Sequence, residues 1–458
     1  MPISFCRFSP ERTRGRVGEG YGPCPFSCIG DDTDATLLVQ RMAAALMAGR
    51  PVRIVVIGAG IVGRVCALRL RQTGADVTLL DSGEHTPASW GNAGHIAAEY
   101  VTPFADARIL PGVPRTLFPR GPIVLDWRHP VMLGTWFARY LYACRPSQFR
   151  AASVVLRDLM ARALPEWQDL AAELGRPDLL DTTGTYKLWE RPGPGMAACL
   201  RGDYGSVVTQ AVPDAERARF ASQLSVPVAG AVHFQGTAQM RDLRQVLDTV
   251  MECFVRAGGQ VMRGRARSIA HQGGRPTVWT DDGPLEADQV LVACGIGSAA
   301  VLRRQKLRVP LMAERGYHLE WDHGGRWTLP NIVFENRNVV VTRFGARLRA
   351  TSIAEFTRAD APLQPRRWEW LERHVSELGL PVASPFSRWA GSRPSLPDYM
   401  PALGPVPDAP GVFAAYGHQH LGLTLAAVTA RILTAQMVTP AQAGEVSPAA
   451  LRPGRFGG

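Results

Sequence analysis

Apolar residues along this chain switch between two periods, and the switches mark its elements. Val55, Val56 and Ile57 form a short apolar run suited to a strand buried on both faces; beyond a glycine break, Ile61, Val65 and Leu68 recur at helical spacing. A second strand is predicted at Val77-Thr78-Leu79-Leu80. Leu156, Leu159, Met160 and Ala163 share one face of a helix expected over about 152 to 175, with Gly175 as its stop. Leu243, Val246, Leu247, Val250, Met251 and Phe254 predict a stronger helix ending at Gly258-Gly259. Strands at Val261-Met262 and Thr277–Thr280, a turn at Asp282-Gly283 and the strand Val290-Leu291-Val292-Ala293 follow. Hairpin-like pieces between 310 and 357, including Val339–Thr342 and Leu348–Ser352, suggest an antiparallel sheet, and Trp368, Leu371, Val375 and Leu378 mark a further helix. Residues 1–50 are rich in Arg, Gly, Pro and Asp and are expected to be mostly unstructured; Met42 and Met47, just ahead of the first strand, suggest that translation starts later than Met1.

Composition narrows the class. A chain of 458 residues can bury a large core. No apolar run is long enough to span a bilayer, and no apolar segment precedes a small-residue cleavage site, so a cytoplasmic location is expected. The formal charge of +11 comes from dispersed arginines without an aromatic-interleaved basic tract, so nucleic acid is not an expected partner. The eight cysteines lack paired metal-ligand spacing, and no metal site is expected. Cys24 and Cys28 are read as part of the N-terminal extension rather than as a redox or metal pair.

The chemistry begins at the first glycine break. In Gly58-Ala59-Gly60-Ile61-Val62-Gly63, the first glycine permits a tight turn, Gly60 lets backbone approach a pyrophosphate, and Gly63 lets the helix pack on the strand. The positive helix end then takes the phosphates. Asp81, followed by Ser82, ends the second strand where an acidic side chain receives ribose hydroxyls, which argues against NADP and leaves NAD and FAD open. The strand 290–293 runs into Cys294-Gly295-Ile296-Gly297-Ser298, a small-residue turn suited to close backbone approach at Ala293 and Gly295.

Together, VVIGAGIVG, LLD, SWGNAGHI, LVACGIGS, ERGYHLE, WAGSRPSLPDYMPALGP and GHQHLGLT resemble the FAD-dependent amine oxidoreductases of the D-amino acid oxidase superfamily. The bacterial D-amino acid dehydrogenase group is the most similar, with spellings nearest to enzymes of D-proline-like or D-hydroxyproline-like substrates. The resemblance covers nearly everything after residue 50. It implies an α/β fold in which a Rossmann-type FAD domain (51–98, 235–300 and 388–440) interleaves with an antiparallel-sheet α+β substrate domain (99–234 and 301–387), followed by a tail at 441–458. It also implies that Ser89, Asn92, Ala93 and Gly94 pass beside the isoalloxazine ring, and that Gly417, His418, His420, Leu421, Gly422, Leu423 and Thr424 lead into a helix whose positive end faces the flavin N1/C2 region.

The same resemblance puts the substrate carboxylate on Arg393, in its WxGxRP setting, through two charge-assisted hydrogen bonds. Tyr317 is expected as a second carboxylate or lid contact, with a core tyrosine as the alternative, and Asp398 as a brace for the loop behind Arg393. The implied reaction is hydride transfer from the substrate α-carbon to flavin N5, giving an imine that water hydrolyses; neither His318 nor His420 is required as a base. FAD is expected to be non-covalent, because no cysteine follows Cys294. A small amino or imino acid is the expected substrate, and a respiratory-chain quinone or oxygen the electron acceptor. Sarcosine, glycine or opine oxidation, or a subunit that needs a partner chain, are the alternatives. The segment Val131–Leu141 carries the aromatic and basic mix of an interfacial helix, and also fits a helix packed inside the substrate domain.

Overall fold

The computed structural model describes residues 49–438 and 448–457. The expectations for residues 1–48, including Cys24 and Cys28, lie outside the described residues.

Two large sheets organise the molecule. The first has six strands in the order Gln260–Arg263, Asp76–Asp81, Arg53–Ile57, Gln289–Val292, Val412–Tyr416 and Ala402–Pro405, all parallel except the last pair. Its centre is the pairing of Val55 with Val290 on one side and Thr78 on the other, so strands more than 200 residues apart become neighbours. The helices Ile61–Gln72, Leu243–Arg256 and Ala426–Val438 pack together, and the helix Pro146–Glu173 packs against the last of them. Pro146–Glu173 begins earlier than its apolar pattern suggests. Its first turn is polar and solvated, and Pro146 starts it with a pre-set φ.

The second sheet runs Ser387–Ser395, Met312–Asp322, Arg347–Thr357, Val339–Phe344, Ile332–Phe334, Thr185–Trp189, Gly230–Gln235 and Val208–Ala211, with Ile123–Leu125 alongside Arg347–Thr357. It is mainly antiparallel, with parallel pairings where Ile332–Phe334 meets Thr185–Trp189 and where Ile123–Leu125 joins. The strand Ser387–Ser395 belongs wholly to this sheet, so the chain crosses to the parallel sheet after Ser395 rather than at 388. Residues 449–456 form two short 3-10 turns, with Leu451 buried in the core beneath the parallel sheet.

Helix Pro130–Ala143 is two-faced. Leu133, Trp136 and Tyr140 are buried, whereas Val131, Leu141 and Tyr142 lie exposed on the other side. Among the described residues no helix is long and apolar enough to cross a membrane, and no group of His, Cys, Asp and Glu is arranged to hold a metal.

Glycine matters most at the crossing of strand and helix. Gly58 has φ +106°, and a Cβ there would lie 2.7 Å from the Ala293 carbonyl oxygen; a Cβ on Gly63 would lie 1.8 Å from the Gly58 oxygen. Both obstacles are backbone and cannot rotate away. Gly63→Ala is therefore expected to lower stability by about 1–3 kcal/mol or more. Gly134→Ala, in a helix and with nothing within 4 Å of its Cβ, is expected to raise it by roughly 0.5–1 kcal/mol. Thermal unfolding of the two variants beside the parent checks both signs.

Candidate active site

The long strand Met312–Asp322 has two unlike faces. Tyr317, Leu319 and Trp321 join the apolar core, where Tyr317 meets the Trp368 ring at 5.0 Å and donates a 2.6 Å hydrogen bond to Glu355. Glu314, Gly316, His318 and Glu320 alternate onto the opposite face. Strand register places Arg393 opposite Glu314, Gly391 opposite Gly316, and Trp389 opposite His318, so Arg393 shares that polar face. Tyr317 therefore does not join Arg393: the expected carboxylate or lid contact is a core tyrosine, because adjacent residues of a strand point to opposite sides.

Arg393 is held from one end. Its Nη1 donates to the Ile353 carbonyl at 3.0 Å and to Glu314 Oε1 at 3.4 Å. Ile353 has φ +68°, a conformation that a β-branched residue rarely adopts, and lies where the register shifts in the neighbouring strand. Gly316 makes the room: a Cβ there would be 2.4 Å from Arg393 Nη2. The Nε and Nη2 edge has no hydrogen-bond partner among the described residues, which is the edge a carboxylate engages with two parallel bonds. Glu314 is itself fixed by Ser395 Oγ at 2.8 Å and Tyr399 Oη at 3.2 Å. Asp398 accepts from Arg455 at 2.6 Å and from the Met400 amide, tying the loop after Arg393 to the C-terminal turns.

The segment Ser89–Gly94 is fastened by its carbonyls. Arg349 Nη1 donates to the Trp90 and Asn92 oxygens at 2.8 and 2.6 Å, Gln239 to the Ala93 oxygen at 3.1 Å, and the His318 Nδ1 lies 3.1 Å from the Gly91 oxygen. Glu320 in turn holds Arg349 through Nε and Nη2 at 3.0 and 2.6 Å. Gly91 is seated against Trp389, where a Cβ would be 1.9 Å from the indole. Arg349, Gln239 and Glu320, which hold this segment, were not among the residues expected from the sequence. Their one signal is a charged or polar side chain at a buried strand position.

At the nucleotide end, Asp81 accepts from the amides of Ala59 and Gly83 at 2.7 and 2.8 Å, and Ser89 Oγ accepts from the Ile61 amide at 3.1 Å. Ser82 Oγ accepts from the Glu84 amide at 3.3 Å, a local turn contact. In GHQHLGLT, His418 Nε2 pairs with Thr429 Oγ1 at 3.0 Å, so what His418 offers the site is its backbone. Leu421 and Leu423 are core residues, and Thr424 Oγ1 accepts from the Ala97 amide at 3.1 Å. The helix that follows runs Ala426–Val438; residues 422–425 form a turn, and Trp167 takes the Leu423 carbonyl.

Residues 53–436 match the family described as DAO, FAD dependent oxidoreductase. The chain belongs to this family. A D-amino-acid oxidase from Bradyrhizobium diazoefficiens is 29% identical over 417 residues, covering 88% of this chain and 98% of that protein. A D-amino acid dehydrogenase from Cereibacter sphaeroides is 30% identical over 423 residues, covering 83% and 91%. Two solved structures share the fold: iminodiacetate oxidase from Chelativorans (TM-score 0.63, 21% identity, 84% and 94% covered) and glycine oxidase from Geobacillus kaustophilus (0.63, 18%, 84% and 95%).

The cofactor of the DAO family is FAD, and the residues present fit it. Gly58 and Gly63 are filled by backbone, but Gly60 has nothing nearer to a Cβ than Ser89 Oγ at 3.7 Å, and Gly295 nothing within 4 Å. Open glycines thus follow two neighbouring parallel strands, at the ends where a diphosphate would lie. Beside the Ser89–Gly94 loop, the buried His318 Nε2 has no hydrogen-bond partner among the described residues.

Burial holds three site histidines neutral: His418 is lowered to about 4, and His318 and His420 well below their ordinary value. Unfolding lets each take a proton below about 6.5, so their contribution to stability is complete above that pH and is lost as pH falls towards the folded values. For His418, a displacement from 6.5 to about 4 corresponds to on the order of 3 kcal/mol. Chemical denaturation at pH 7.5 and 4.5 is expected to show a smaller pH-dependent loss in His418→Gln than in the parent.

Proposed function

We propose that this DAO-family enzyme oxidises a D-amino or imino acid at its α C–N bond, with Arg393 as the carboxylate anchor. The carrying observation is the Arg393 guanidinium: one nitrogen is engaged by Glu314 and Ile353, while the Nε/Nη2 edge remains for a planar anion. The names of the curated relatives support the D-configured substrate. Bound FAD supplies the hydride acceptor for the α-carbon. The chain's own residues bind and orient: Arg393 fixes one end of the substrate, and the loop Ser89–Gly94, clamped by Arg349, Gln239 and His318, gives the cofactor side a rigid surface. Phe104 and Trp136 pack on the ring of Tyr399, whose hydroxyl reaches Glu314 behind Arg393.

A second reading concerns where the electrons go. Trp127 is 71% exposed and Val131 78%, Leu141 and Tyr142 are exposed as well, and the Arg145 guanidinium lies 4.6 Å from the Tyr142 ring. Apolar and aromatic groups beside cations suit the headgroup region of an anionic bilayer. This supports peripheral membrane contact, which would bring the enzyme to a respiratory quinone as acceptor.

Purified enzyme is expected to carry FAD that is released on denaturation, and anaerobic D-amino acids or D-proline are expected to bleach it faster than L-amino acids or sarcosine. A flavin that none of them reduces overturns the proposal. Arg393→Ala is expected to retain FAD while raising KM at least about tenfold; unchanged kinetics remove Arg393 from the substrate site. Co-flotation with anionic vesicles, weakened by Trp127→Ser, and reoxidation faster with a soluble quinone than with air test the membrane reading.

A further inference from the structure

Both ring nitrogens of His420 are buried, and both lack a hydrogen-bond partner among the described residues. A neutral imidazole has one donor and one acceptor, and leaving both unpaired when buried is costly unless a ligand meets them. Two observations locate that ligand beside Arg393. Ser395 and His418 pair in an antiparallel bridge, so Arg393, two residues before it, and His420, two residues after it, lie on the same side of that junction. A continuous wall also joins them: Arg393 to Glu314, Glu314 to the Tyr399 hydroxyl, Tyr399 to Phe104 at 5.7 Å, and Phe104 stacked on His420 at 4.8 Å.

The ring is rigidly presented. Tyr100 meets it edge-on at 5.4 Å. Gln419 adopts φ +50° and its side-chain amide is bonded to the Tyr399 carbonyl, fixing the turn from which His420 projects. Burial, with the Arg393 charge adding to it, keeps the imidazole unprotonated.

An arginine carries no acceptor, so it can hold a substrate's carboxylate but not its N–H. Both Glu314 oxygens already accept hydrogen bonds, Oε1 from Arg393 and Oε2 from Ser395 and Tyr399. The neutral imidazole supplies an acceptor that no other group engages among the described residues. We propose that His420 determines specificity by accepting a hydrogen bond from the substrate's α-amino or imino nitrogen while Arg393 holds its carboxylate. This rests on the function proposed above.

The test compares the FAD-loaded parent with His420→Phe, which keeps the stack on Phe104, and His420→Asn, which keeps a polar group. D-Alanine and D-proline serve as reductants, and propionate and cyclopentanecarboxylate as ligands that have the carboxylate but no amine. In His420→Phe the amino acid Kd from anaerobic flavin reduction is expected to rise at least about tenfold, with carboxylate-only binding within about threefold of the parent. His420→Asn is expected to recover part of the loss. Equal weakening of both ligand types, or no weakening of either, overturns the inference. Loss of FAD from both variants also overturns it and assigns His420 to the cofactor. A parent enzyme that no amino acid bleaches defeats the functional proposal itself, a failure visible before any variant is made.

Discussion

The structure depends on one strand having two incompatible sides. Met312–Asp322 must bury Tyr317, Leu319 and Trp321 against the helix Arg366–Glu377, and the alternation that does so turns Glu314, Gly316, His318 and Glu320 the other way. A slip of one residue would put carboxylates into the apolar core and leave Arg393 opposite Ala313 or Arg315. The apolar face therefore fixes the register, and the register builds the site. Each polar position then contributes something different. Glu314 orients Arg393, Gly316 leaves room for the guanidinium, His318 engages Gly91, and Glu320 secures Arg349.

The parallel sheet imposes a second constraint. Its central strand pairs with segments from distant parts of the chain, and their turns converge at Gly58 and Ala293 with no space for a side chain. The close contact at Gly58 and Gly63 lets the helix end approach, while Gly60 and Gly295 remain open. Backbone contact and open cradle alternate within a few residues. That is why the glycines there are not interchangeable, although the sequence spells them alike.

The nucleotide end was legible because its requirements are local: a buried strand, glycines at fixed offsets, an amphipathic helix and Asp81 all lie within about thirty residues. Arg393 stood out in the sequence through its motif, and the structure sets it opposite Glu314 on the polar face of the strand pair. Tyr317 was not, since the sequence says that Tyr317 and His318 face opposite ways but not which way the site lies. Arg349 and Gln239 were invisible for a related reason: each acts on a carbonyl more than a hundred residues away in sequence, and no local pattern announces such a bond. His418 and His420 stand two residues apart in one motif with equal claims from sequence. Only packing shows that one pairs with Thr429 while the other keeps both nitrogens unpaired.

The electrostatics of the pocket explain why Arg393 needs Glu314. A nearly buried guanidinium with no counter-charge is costly, and one matched side-on by a carboxylate would have its binding edge consumed. Glu314 avoids both outcomes. The hydroxyls of Ser395 and Tyr399 satisfy one of its oxygens, so only the other reaches Arg393, and it reaches Nη1 rather than the Nε/Nη2 edge. The Ile353 carbonyl occupies the same nitrogen, brought there by a left-handed backbone that surrounding packing sustains. The cation is thus stabilised and oriented from behind, and its front remains available. Keeping the neighbouring histidines neutral completes the arrangement, because a second cation beside Arg393 would disfavour any substrate that arrives as an ammonium.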